Sequence, residues 1–105
     1  MEQPYFFLPD LGAAIQVPEG GILSKPVFDE GGLRAVLFGF DAGQQLSEHT
    51  ASVPAVIHIL SGQATLQAGS QTLKAGPGAW LYMQANLEHA VFAETPLTML
   101  LLMLR

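Results

Sequence analysis

A chain of 105 residues has room for one hydrophobic core and none for a second domain. Half of the residues are hydrophobic and four basic residues stand against nine acidic ones, a net charge of −5 that excludes the basic patches needed by nucleic acid or an anionic membrane. The absence of cysteine removes disulfides, thiolate ligands and a cysteine nucleophile, and fits a reducing cytoplasm.

The start of the chain, through Tyr5-Phe6-Phe7-Leu8, is acidic and lacks the basic-then-apolar order of a secretory signal. Ile22 to Phe28 reads as an edge strand, because Pro26 cannot donate to a sheet ladder. Asp29 to Gly32 is a turn, and Leu33 to Phe40 a second strand. Pro54 to Ser61 and Gln63 to Ala68 follow as strands, and Gly69-Ser70 closes a hairpin onto Gln71 to Lys74. Ala79 to Met83, His89 to Ala93 and Pro96 to Leu104 complete the series. The last run is far shorter than the roughly 20 residues a membrane helix needs. Short strands separated by glycine and proline predict an all-β sandwich or barrel without a long helix.

Two spaced frames narrow the architecture. The first runs from Gly43 through His49, Ala51 and Ala55 to Gly62; the second from Gly78 through Gln84 and Asn86 to His89. In order and at this separation they resemble the two motifs of the cupin family. The resemblance implies a double-stranded β-helix, or jelly roll, formed by one domain over residues 1–105. Motif 1 falls at about 43–62 and motif 2 at about 78–93. The glycines at 43, 62 and 78 fall where strands bend or end. The Glu48-His49-Thr50-Ala51 stretch is similar to a branch of small bacterial cupins.

In the family, three histidines and a glutamate hold one metal. Here His49 and His89 occupy the first and last of those positions, while Ala51 and Ala55 stand where the second histidine and the glutamate would be. The resemblance therefore implies His49 and His89 as metal ligands for one divalent ion, zinc, nickel, iron or manganese, with a metal-free barrel as the alternative. Gln44, Glu48 and Gln84, each close to a motif histidine, are the candidates for a third donor. Alternation back from Gly62 places Ala55, Ile57 and Ile59 inward and His58 outward. Trp80 and Tyr82 lie two apart on one face, either as a stacking wall for a ligand or as core or dimer contact. Met83, Met99 and Met103 read as core fillers rather than copper ligands. No acid stands in register with Ser47 or Ser52 to make a hydrolytic triad.

Two functions follow. The first is a non-catalytic or sensory barrel whose interior holds a small organic ligand and a divalent metal, with His49, His89, Gln84, Trp80 and Tyr82 as the binding residues. The alternative is a metal-dependent oxygenase or isomerase that uses His49 and His89 as partial ligands. The high apolar fraction predicts a homodimer in which Tyr5-Phe6-Phe7-Leu8 adds a strand to the edge of a neighbouring sheet; folding back over the chain's own barrel is the other outcome.

Overall fold

The structure is a computed structural model that describes residues 4–105. Nine strands form two antiparallel sheets: β1 (Ile22–Glu30), β2 (Leu33–Phe40), β3 (Gln45–His49), β4 (Ala55–Ser61), β5 (Ala64–Ala68), β6 (Gln71–Ala75), β7 (Trp80–Met83), β8 (His89–Ala93) and β9 (Leu97–Leu104). The larger sheet has the order β1-β2-β9-β4-β7 and the smaller β3-β8-β5-β6. One 3-10 turn, Gly12–Ala14, is the sole helical element among the described residues, and no helix is long and apolar enough to cross a membrane.

The eight strands expected from the sequence are present, and the structure adds β3. Its residues Gln45, Ser47 and Glu48 are polar and exposed, so no apolar alternation announced it. Pro26 sits on the edge strand β1, as expected, and the ladder there is interrupted between Pro26 and Phe28. The extra residue at Val27 lets the strand continue to Glu30 past the proline.

The inner faces of the two sheets meet in one core. Phe40, Ile57, Ile59, Leu66, Met83, Val91, Leu97 and Met99 are among its buried side chains. Along β4 every second residue turns to the core, which is why Ala55, Ile57 and Ile59 point in together. Gly62 makes the crossing from β4 to β5 with a φ of 89°. It lies against the backbone of Pro96 and Leu97, an approach that leaves no space for a Cβ.

A second apolar cluster lies on the outer face of the larger sheet. Leu11, Ala14 and Ile15 pack there against Ala35, Leu37 and Leu100, and the Lys25 ammonium donates to the Ala14 carbonyl at 2.8 Å. The described residues before Ile22 form no strand; they fold back on the chain's own sheet, with Phe6 against Phe28 at 5.1 Å between ring centroids. Tyr5, Phe7, Trp80, Tyr82 and Leu104 remain exposed. The expectation of a homodimer falls on the Tyr5-Phe6-Phe7-Leu8 run, of which Tyr5, Phe6 and Phe7 are exposed.

Candidate functional site

His49 closes β3 and His89 opens β8, and the two are paired across that ladder. Leu46 pairs with Val91, so three steps on β3 match two on β8, and Ser47 and Glu48 together oppose Ala90. This bulge is decisive. In a regular strand Leu46 and His49, three apart, would point to opposite faces; the extra residue turns His49 back inward beside His89.

The two rings meet edge to face at 4.1 Å between centroids. His89 is 4% exposed, whereas His49 is half-buried. Each Nδ1 is 2.8 to 2.9 Å from the carbonyl oxygen two residues earlier, Ser47 for His49 and Leu87 for His89. A carbonyl only accepts, so each Nδ1 carries a proton, and in the neutral ring each Nε2 is left with a free lone pair.

Burial holds the His89 imidazole below its ordinary pKa; the Leu87 carbonyl opposes that shift and the neighbouring His49 adds to it. The consequence for stability has a definite sign. Below about pH 6.5, the ordinary histidine value, the unfolded chain takes up the proton first and the folded state loses stability, down to the lowered folded pKa. Above that window His89 is neutral in both states and contributes no slope. Urea midpoints measured from pH 8 to 5 are expected to fall with acidity below about 6.5, and His89→Gln to remove part of that fall. An identical profile in both proteins would show that His89 is not the group involved.

The other side of the same strand pair carries acids. Glu88 is exposed and its carboxyl is raised above the usual range, because it hydrogen-bonds to Glu48 and is repelled by it. Glu48 also accepts from the Gln67 amide at 3.2 Å on this outer surface. It therefore lies on the wrong face to complete a site with the imidazoles.

The remaining sequence candidates separate in the same way. Gln84 is exposed at the start of the turn after β7, where its carbonyl accepts from the Leu87 amide at 3.3 Å. Gln44 precedes β3 at the far end of the barrel, its carbonyl accepting from Ala93. Trp80 and Tyr82 are 61% and 50% exposed on the outer face, paired with His58 and Val56, so they do not line the interior with the histidines. The alternation that directs Ala55 and Ile57 inward sends both aromatics out. His58 faces outward, as the same alternation predicts.

Ala51 and Ala55 offer no donor, and among the described residues no group of three or more histidine, cysteine, aspartate or glutamate side chains could hold a metal. The structure places two other side chains beside the Ala55 position: Ala55 pairs with Met83 on β7 and with Met103 on β9. Their grouping depends on cross-strand register, so spacing along the chain could not reveal it. A cavity of about 500 Å³ lies elsewhere, on the outer face of the smaller sheet, lined by Gln45, Thr65, Gln67, Thr72 and Phe92 among others.

Comparison with known proteins agrees with this architecture. A family model for the cupin domain matches residues 36–104. The chain is similar to a conserved protein of unknown function from Streptococcus pyogenes, with 26% identity over 100% of this chain and 90% of that one and a TM-score of 0.84. A cupin superfamily protein from Desulfitobacterium hafniense is 27% identical, over 99% of this chain and 92% of that one, with a TM-score of 0.85. The DMSP lyase DddQ from Ruegeria pomeroyi shares the fold at 22% identity, over 81% of this chain and 47% of that one, with a TM-score of 0.74. No curated protein matches the chain.

Proposed function

The chain belongs to the cupin family, and from that premise we propose that it is a binding barrel, non-catalytic or sensory, whose centre is the pair His49 and His89. The observation that carries this reading is the matched fixing of the two rings: both Nδ1 protons are given to backbone carbonyls, and both Nε2 lone pairs stay free. With both rings neutral, the pair is a double hydrogen-bond acceptor. It suits a small, neutral organic molecule that brings two donors, such as vicinal hydroxyls, and it offers nothing to an acceptor-only carboxylate.

The donor set argues against the full divalent site of the family. Two imidazoles fit such an ion, but a catalytic centre ordinarily takes three protein ligands and keeps one position open. Ala51, Ala55 and the outward Glu48 leave the third place unfilled by oxygen or a further nitrogen. A metal-dependent oxygenase or isomerase is thereby less well supported than a binding barrel, and the shared fold with a lyase does not alter this.

Nitrogen NMR of the imidazoles tests the reading with a defined probe. At pH 8 catechol, a neutral vicinal diol, is expected to move the Nε2 resonances of His49 and His89 together. Benzoate, an acceptor of similar size, is expected to leave both in place. A protein in which catechol moves neither resonance does not bind donors at this pair.

A further inference from the structure

At the end of the barrel where His49 and His89 meet, the facing sheet presents sulfur. Ala55 pairs with Met83 on one side and with Met103 on the other. The alternation that turns Ala55 inward turns both methionines inward with it. Met83 is 2% exposed within the core and Met103 is half-buried against that same core.

Chain topology sets these groups at one level. His49 closes β3 and Ala55 opens β4; Met83 closes β7 and His89 opens β8. Both connections cross between the sheets at the same end, and the Asn86 amide donates to the Ala51 carbonyl at 2.7 Å to join them. Inner faces of packed sheets interdigitate across about 10 Å. The fold therefore sets two imidazoles on one inner face and two flexible thioethers on the other at the same end of the barrel, with only the Ala55 methyl between the methionines.

We infer that His49, His89, Met83 and Met103 form a binding site for a soft monovalent metal ion, copper(I). The inference rests on the reading of the histidine pair as the binding centre. Thioether and imidazole donors together select copper(I) over the harder divalent ions. Charge points the same way. The four groups are imidazoles and thioethers, and among the described residues no cluster of carboxylates joins them, so an ion placed here keeps its whole charge in a largely buried setting. The cost of burying a charge rises as its square, which penalises a dication far more than a monocation.

The test is an anaerobic titration of the tag-free protein with copper(I) against a bicinchoninate competitor, with zinc(II) titrated in parallel. One copper(I) per chain is expected, held at least about 100-fold more tightly than zinc(II). Leucine conserves the volume of methionine, so Met83→Leu with Met103→Leu should keep the fold. That variant is expected to bind copper(I) about tenfold or more weakly, the scale on which metal sites respond to lost partners. Met103→Leu alone, at the half-buried position, carries the test if the double variant does not fold. Copper(I) bound no more tightly than zinc(II), no copper(I) bound at all, or undiminished copper(I) binding in the leucine variants would each overturn the inference. Loss of the catechol response in the parent protein would instead remove the underlying reading of the histidine pair.

Discussion

Gly62→Ala is expected to bring the barrel close to unfolding. The residue holds a φ of 89°, a region where a side chain is strained, and its Cβ would overlap the Pro96 carbonyl oxygen and come within 2.9 Å of Leu97 Cα. Both obstacles are backbone at the start of β9, a central strand of the larger sheet that pairs with β2 and β4, and no rotamer change relieves them. Strain and displacement together should cost about 3 kcal/mol or more, a large part of the 5–15 kcal/mol that is roughly the whole stability of a native protein. The melting temperature should fall by about 12 °C or more. Gly43→Ala is the control, because Gly43 has a similar φ of 82° with nothing within 4 Å of the added atom. Equal melting of the two variants would show that the contact with Pro96 yields at little cost.

Ala55→Glu should reverse the donor deficiency and expose its cost. Ala55 is 2% exposed between Met83 and Met103, so a carboxyl there is buried without a partner and overpacks the wall. Without metal the variant is expected to lose about 2 kcal/mol or more. The new carboxylate, with His49 and His89, supplies three ligands of the kind a zinc site uses. Zinc at about a thousandfold excess over its dissociation constant should then restore about 4 kcal/mol. Thermal melts with and without zinc measure this. If zinc stabilises the variant no more than the parent, position 55 does not share a space with the imidazoles, and the sulfur-lined site fails with it.

Most of the barrel was legible because its signals are local. Alternation at Ala55, Ile57 and Ile59 assigned the inner face of β4 and turned His58 out, and the turn at Gly69-Ser70 joins β5 to β6. β3 escaped notice because a polar outer face and a bulge together erase the period of two. That bulge is also what makes His49 part of a site, so the motif frame placed the residue correctly without disclosing why it faces in. Trp80 and Tyr82 show the converse. Their shared face was readable, but which face it was depends on pairing with β4. The methionines beside Ala55 lie beyond any local pattern, since residues 55, 83 and 103 become neighbours only through two separate ladders.

The hydrogen bond from Asn86 to Ala51 makes the histidine end of the barrel one mechanical unit. It joins the two segments that cross between the sheets at the histidine end, and Asn86 is the one non-glycine among the described residues with a positive φ, 69°. Neither segment can swing away alone without breaking that bond. Deuterium uptake at a single backbone amide, that of Asn86, therefore reports the joint opening of both segments.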